Sequence, residues 1–297
     1  MVKPARAALR LRRSLLFVPG SEPRKLEKAR TTEADAVVLD LEDAVAPAEK
    51  AEARAHVAEA LRVGFGSAEA IVRVNPPATS WFEEDLETVI AAGGRAVMLS
   101  KAESAAEIES VTARLDGLEE GDAEDRAALF LLVESPIGIV NALALERASA
   151  RVVAMCFGHA DFSLEMGLTE ADASRGIVYH ARCELMIAAR ACGIAPIDVA
   201  HLAIKDDAAF REDAILGARL GYEGKLCIHP RQVEIANEIH TPRREEIDAA
   251  LRVVEASERA RAEGRGVFTL DGRMIDAPIV AAERRVLERA RRAGVLR

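Results

Sequence analysis

Eight short apolar stretches, separated by longer segments of helical periodicity, restrict the fold of this 297-residue sequence most strongly. The apolar stretches are residues 14–19, 36–40, 70–75, 96–100, 128–134, 151–158, 195–199 and 225–229. Several are apolar on both faces, which is typical of parallel strands that helices cover. The intervening helical stretches include 47–61, 102–115 and 171–192. Eight such strand–helix units predict an α/β fold of the (β/α)8 TIM-barrel type.

A doubly wound open sheet is the alternative arrangement for alternating strands and helices. That fold would favour a glycine-rich first turn, and Gly64-Phe-Gly66 does not continue as GxGxxG. The closed barrel is therefore the preferred prediction.

The pattern changes after residue 229. A charged helix is predicted over 243–263, a short hairpin around Asp271-Gly272, and a last helix over 277–293. These elements are surplus to an eight-unit barrel. We predict a catalytic barrel over residues 1–240 and a C-terminal helical extension over 241–297.

Composition excludes some classes of partner. The net charge is −9, so no global field attracts nucleic acid or anionic membrane. No apolar run approaches the roughly 20 residues that span a bilayer. The basic residues of the N-terminal stretch are Lys3, Arg6, Arg10, Arg12 and Arg13. A transit peptide is one interpretation, but an apolar strand follows at once, so a cytoplasmic protein with a basic arm is expected.

Charged side chains lie where the predicted strands end. Strand two closes with Asp40-Leu-Glu42-Asp43, and Arg73 lies near the end of strand three. In a barrel these ends converge on the catalytic face. Buried charges are costly unless they are paired or bound to a metal.

Two further acids at strand ends are candidate metal ligands. Glu134 closes strand five, and Asp161 follows strand six. Mg²⁺ prefers oxygen ligands and often takes only one or two protein carboxylates, leaving positions for water and substrate. Position alone leaves a second interpretation open, in which each acid pairs with Arg73 or Lys101 in a salt bridge at the rim.

Six ordered blocks resemble the citrate lyase β-subunit family, also described as HpcH/HpaI aldolase/citrate lyase. They are RSLLFVPG (13–20), LDLEDAV (39–45), VRVN (72–75), VESPIGIVN (133–141), FGHAD (157–161) and GYEGKLCIHP (221–230). The resemblance covers nearly the whole chain. It implies a (β/α)8 barrel, a homotrimer or homohexamer, and Mg²⁺ on Glu134 and Asp161.

The resemblance also implies the roles of other residues. It places a substrate carboxylate near Arg73 and the backbone amides of Gly158, His159 and Ala160. It assigns proton transfer to Asp276 in the extension, reaching the site of a neighbouring subunit.

Asp40 and Glu42 are then further candidate catalytic residues, which support metal-bound water or the basic side chains. The extension is expected to pack on the neighbouring subunit.

The expected function is a Mg²⁺-dependent carbon–carbon lyase. It is expected to cleave a 3-hydroxyacyl-CoA, such as malyl-CoA or citramalyl-CoA, into an acyl-CoA and a 2-oxo acid (glyoxylate or pyruvate), or to form the thioester from these two. One alternative is a citrate lyase β-subunit that acts on a citryl carrier-protein thioester. A second is a CoA-independent class II aldolase. Such enzymes often place a histidine near the metal, and His159 is consistent with this. A malyl-CoA thioesterase on the same site and a non-catalytic subunit are further alternatives.

Overall fold

A computed structural model describes residues 10–119, 126–169 and 172–296. Its strands in the first part of the chain are β1 (Ser14–Pro19), β2 (Ala36–Asp40), β3 (Glu69–Val74), β4 (Ala96–Leu99), β5 (Ala128–Val133), β6 (Val152–Phe157), β7 (Ala195–Asp198) and β8 (Gly224–Cys227). They form a closed barrel in sequence order. The predicted (β/α)8 barrel is confirmed.

The barrel closes where β1 pairs in parallel with β8, with Ser14 opposite Lys225. Gly224 is required at this closure, because a Cβ there would overlap the carbonyl oxygen of Arg12. The doubly wound alternative is wrong, since an open sheet would leave β1 and β8 without this pairing.

The helices follow the strands as the apolar periodicity predicts. They are α1 (Pro23–Ala29), α2 (Lys50–Val63), α3 (Phe82–Ala91), α4 (Ala105–Leu118), α5 (Pro136–Arg147), α6 (His159–Glu165), α7 (Gly176–Cys192), α8 (Asp207–Leu220) and α9 (Pro230–His240). The helix expected over 102–115 begins later, because the Ser104 side chain accepts from the Glu107 N–H as an N-cap.

The helix expected over 171–192 also begins later, at Gly176. Its first predicted residue, Ala171, lies outside the described residues. The Asp172 carboxylate accepts from the N–H and the hydroxyl of Ser174, which forms a turn instead of a helical start.

Aliphatic side chains fill the barrel interior. Its buried cluster is Leu15, Ala36, Val38, Ile71, Ala96, Met98, Ala128, Phe130, Leu132, Val153, Ala154, Cys156, Ile197 and Leu226. The interior is a packed core, so polar chemistry is confined to the strand ends.

The predicted basic arm falls only partly within the described residues. Lys3 and Arg6 lie outside them. Arg12 makes a buried ion pair with Glu69 at 2.7 Å, and Arg13 pairs with Asp35 at 2.8 Å. These two arginines anchor the start of β1.

Contacts divide the chain into two compact units, residues 1–238 and 239–297. The second unit contains α10 (Arg244–Ala262), a hairpin of β9 (Phe268–Leu270) and β10 (Arg273–Ile275), and α11 (Ala277–Arg292). Asp271 and Gly272 turn the hairpin with positive φ, as their sequence predicts. The packing of this unit on a neighbouring subunit stays a prediction.

A small apolar core joins the two helices of the second unit. Its buried members are Ile247, Ala250, Leu287 and Ala290. Among the helices of the described segments, none has both the length and the apolar character needed to cross a membrane.

Candidate active site

A cavity of about 650 Å³ lies at the carboxyl ends of the barrel strands. It is lined by the predicted site residues Asp40, Arg73, Glu134, Gly158, His159, Ala160 and Asp161. Asp40 is the last residue of β2, and Glu134 directly follows β5. Residues distant in sequence meet here because parallel strands of a closed barrel end on one face.

Arg73 is the central cation of the cluster and is almost fully buried. Its Nε donates to Asp40 Oδ1 at 2.7 Å, and its Nη2 donates to the other oxygen of the same carboxylate. Its Nη1 lies 2.8 Å from Glu42 Oε2. Burial acts to lower the pKa of Arg73, but Asp40 and Glu42 outweigh it and raise that pKa. The guanidinium is therefore a fixed positive charge.

Glu42 is buried beside two cations. One oxygen lies near Arg73 and the other lies 3.3 Å from Lys101 Nζ, although neither contact has the alignment of a hydrogen bond. Burial raises the pKa of the Glu42 carboxyl, and the charges of Asp43 and Asp40 add to this rise. Its ionised form thus depends on the neighbouring cations.

Glu134 is 4% exposed and lies near the carboxylates of Glu42 and Asp161. Burial, Glu42 and Asp161 raise the pKa of its carboxyl to about 8, against the charge of Arg73. Its Oε2 accepts from the Lys101 N–H at 3.1 Å. Lys101 has φ of 53°, an unusual conformation for a residue with a side chain, and this aims its amide at the carboxylate.

Gly158 makes room for the Glu134 carboxylate. A Cβ at this position would collide with Cγ of Glu134 and lie 2.5 Å from its Oε1. The glycine is therefore part of the acidic site, although its φ of −92° is available to any residue.

The residues fit a divalent ion with oxygen ligands. Glu134 and Asp161 line the same cavity, and each carboxylate adds to the other's negative potential. Within residues 10–119, 126–169 and 172–296, no group of three or more His, Cys, Asp and Glu side chains is arranged to hold a metal. Two carboxylates suit Mg²⁺, which commonly completes its shell with water and substrate oxygens.

One of the three backbone amides after β6 already has a partner within the barrel. The Gly158 N–H already donates to Val133 O at 2.8 Å. The amides of His159 and Ala160 lie in the first turn of α6, where no helical partner is available. Substrate binding by these three amides stays a prediction.

His159 is a neutral wall residue of the cavity. Burial, Lys225 and Arg182 lower the pKa of its imidazole to about 4, against the charges of Asp213 and Asp198. The same side chain also borders a second cavity of about 620 Å³. Only a neutral imidazole is available here at physiological pH.

Asp276 lies in the second compact unit, as the N-cap of α11. Its Oδ1 accepts from the Ile279 N–H at 3.3 Å. Its role as a base in a neighbouring subunit stays a prediction, as do the roles assigned above to the other candidate residues.

The structure adds residues that motif reasoning missed. Lys28, one turn after Lys25 on α1, also lines the cavity, and its i, i+3 spacing was the available signal. The backbone conformation of Lys101 and the close approach at Gly158 have no signal in a single sequence.

This chain is similar to a known protein family and to several of its members. Residues 13–230 match the model of the HpcH/HpaI aldolase/citrate lyase family. The citrate lyase subunit beta of Leuconostoc mesenteroides is 35% identical over 95% of this chain and 94% of the relative. A (3S)-malyl-CoA thioesterase of Cereibacter sphaeroides is 35% identical over 96% of each chain.

A solved structure is similar over almost the whole length. It is the protein CitE from Mycobacterium tuberculosis in complex with magnesium, acetoacetate and coenzyme A. The TM-score is 0.78 at 31% identity, with 93% of this chain and 97% of that chain covered.

Proposed function

Because this chain belongs to the HpcH/HpaI aldolase/citrate lyase family, we propose that it is a Mg²⁺-dependent carbon–carbon lyase of a 3-hydroxyacyl-CoA. Family membership confirms the expectation of a lyase that acts on a CoA or acyl-carrier thioester. The particular reaction proposed is cleavage or formation of malyl-CoA or citramalyl-CoA. Malyl-CoA would give acetyl-CoA and glyoxylate, and citramalyl-CoA would give acetyl-CoA and pyruvate.

The excess of negative charge around Glu134 carries this proposal. The carboxylates of Glu42 and Asp161 act on Glu134, and Arg73 is the cation beside it. A divalent ion on Glu134 and Asp161 would relieve this excess. When bound there, Mg²⁺ would polarise the carboxylate and adjacent oxygen of a 2-oxo or 2-hydroxy acid.

Arg73 would bind and orient the oxo-acid half of the substrate. Asp40 and Glu42 hold its guanidinium in place, and the ring of Phe17 packs 5.1 Å from it. A guanidinium fixed in this way needs no reorganisation as negative charge shifts on the substrate. The neutral His159 lines the same cavity.

Proton transfer would require a base at the 3-hydroxyl. Asp276 from a neighbouring subunit is our candidate, and it would take this proton as the C2–C3 bond breaks. The bonding electrons pass to the thioester half, which leaves as its enolate and is protonated on carbon. This role, and the homotrimer or homohexamer that it needs, rest on the family resemblance.

The wall of the cavity suits a thioester with an anionic tail. Lys25 and Lys28 supply positive charge on α1, and Leu202 and Ile204 form an apolar side. The lysines are placed to attract the phosphates of CoA, and the apolar side suits its pantetheine arm.

Condensation of purified components tests the proposal. Acetyl-CoA or propionyl-CoA is mixed with glyoxylate or pyruvate, with and without Mg²⁺, and products are followed by mass spectrometry. We expect a Mg²⁺-dependent hydroxyacyl-CoA that Glu134→Gln and Asp161→Asn abolish. Glu87→Gln, on the exposed side of α3, is the matched control and retains activity. No product with any pair would refute the proposal.

A thioesterase is the second candidate, favoured by the similar (3S)-malyl-CoA thioesterase. The two reactions differ in their products. Incubation with malyl-CoA would release free CoA and malate from a thioesterase, but acetyl-CoA and glyoxylate from a lyase. A citryl carrier-protein thioester and free hydroxy acids complete the substrate panel.

A further inference from the structure

A buried lysine lies directly behind residues 41–46, which follow β2 and are called the acidic loop below. Lys50, the first residue of α2, is 5% exposed. Its Nζ donates to the carbonyl oxygens of Leu41 and Glu42 and to Asn75 Oδ1, each at 2.7 Å. All three ammonium hydrogens are used, and two of them fix the backbone of the loop.

Asn75 ties the same loop to the next helix. Its Nδ2 donates to Leu41 O at 2.9 Å and to Asp85 Oδ2 at 2.6 Å. Asp85 is fully buried on α3, and its other oxygen accepts from Arg54 Nη1 at 3.1 Å. Leu41 O thus receives hydrogen bonds from two side chains that the rest of the network holds rigid.

This network differs from an ordinary buried ion pair. The three hydrogen bonds of Lys50 go to neutral oxygens, although the carboxylates of Asp40 and Asp85 act on it at longer range. Burial lowers the pKa of Lys50, and the charges of Asp40 and Asp85 oppose this effect. The ring of Trp81 covers the ammonium, with its centroid 5.2 Å away.

The loop held by Lys50 determines where the Glu42 carboxylate lies. The Glu42 backbone is fixed by Lys50 on its carbonyl and by Asp40 Oδ1 on its N–H, at 2.9 Å. The Glu42 side chain in turn lies 2.8 Å from Arg73 Nη1. A path of direct contacts therefore runs from Lys50 through Glu42 to Arg73.

We propose that Lys50, supported by Asn75 and Asp85, is a positioning residue that acts through Glu42 to set the orientation of Arg73 in the catalytic cavity. The inference rests on the proposed function for the role of Arg73. Lys50 and Asp85 lie outside the cavity lining.

Hydrogen exchange tests the positioning without using activity. Lys50→Met preserves most of the side-chain volume and removes the three donors. In peptides covering residues 40–46, we expect amide exchange to be at least about tenfold faster than in the wild-type protein. The Val45 N–H in this segment donates to Glu42 O. Peptides covering β5 should keep the wild-type exchange. Unchanged exchange in 40–46, or an equal increase throughout the barrel, would overturn the proposal.

Arg12→Met is the matched control. It also removes a buried cation, but its partner Glu69 begins β3 at the opposite end of the barrel strands. This variant should lose thermal stability without selective exchange in residues 40–46.

Kinetics then test whether Lys50 acts through Glu42. Lys50→Met should lower kcat by about 10–100-fold, with KM for the CoA thioester within about threefold of wild type. Added to Glu42→Gln, it should cause little further loss, whereas independent effects would multiply. Multiplicative losses would overturn the path through Glu42.

The two proposals fail in different ways. If wild-type protein condenses no thioester pair, the proposed function fails, and selective exchange in 40–46 would still support positioning by Lys50. If wild-type protein is active but Lys50→Met has wild-type kcat, the positioning proposal fails alone.

Discussion

Replacing Gly158 by alanine should damage the candidate metal site without straining the backbone. The residue precedes α6 with φ of −92°, which alanine adopts freely. The added Cβ would lie 2.5 Å from Glu134 Oε1 and 2.9 Å from its Cδ. The Glu134 side chain must therefore move, because all three overlapping atoms belong to it.

The required displacement sets the size of the effect. An ordinary contact of 3.4 Å instead of 2.5 Å demands a shift of about 0.9 Å in the Glu134 carboxylate. We expect Mg²⁺ affinity to fall by about 10–100-fold, which corresponds to about 1.4–2.8 kcal/mol. Crowding in a packed site should also lower the free energy of unfolding by about 1–3 kcal/mol.

Titration calorimetry with Mg²⁺ measures the first effect, and chemical denaturation without metal measures the second. Gly94→Ala is a matched control, because a Cβ there would lie 2.6 Å from Val89 Cγ1, which is a similar overlap. Gly94 precedes β4 and therefore lies at the other end of the barrel. It should lower stability and leave Mg²⁺ affinity unchanged. Wild-type Mg²⁺ affinity in a folded Gly158→Ala protein would refute the assignment of Glu134 as a ligand.

Three further predictions address other parts of the molecule. Arg73→Lys should lower kcat by about 10²–10³-fold, because lysine cannot reproduce the two-pronged contact with Asp40. Steady-state kinetics on the folded variant measure this, and wild-type kcat would contradict it. Asp276→Asn should leave the stability of the second unit unchanged, since asparagine caps helices as well as aspartate, but should abolish condensation; full activity would exclude it as the base. Asp198 is fully buried, and Lys225 and Arg182 lower the pKa of its carboxyl despite the opposing effect of burial. Its stabilisation is complete above the unfolded pKa of about 3.9 and is lost as the pH falls through the lower folded value. Asp198→Asn should cost about 3–5 kcal/mol at neutral pH, and denaturation at about pH 3 should show a smaller difference from wild type.

Most of the fold could be predicted from periodicity. The strands expected at 14–19 and 36–40 have the bounds found in β1 and β2, because runs apolar on both faces fit only a sheet covered by helices. Helix starts were less predictable. The start of α7 depends on a turn at Asp172 that competes locally with helical hydrogen bonding.

The sequence predicted that four of the candidate residues meet at the strand ends, but not the contacts between them. Strand-end positions and motif blocks indicated Asp40, Arg73, Glu134 and Asp161, and the barrel brings them to one cavity. They did not indicate that Asp40 holds Arg73 by both oxygens. Such pairing depends on which side chains face each other after closure.

The sequence by itself determined the number and order of the strand–helix units and the family that its motifs indicate. These properties follow from local apolar patterns and from residue types at fixed spacing. Only the tertiary structure decided the raised pKa of Glu134, the space left by Gly158 and the burial of Lys50 behind the acidic loop. Desolvation and hydrogen bonding depend on distances between residues far apart in the chain, and barrel closure sets those distances.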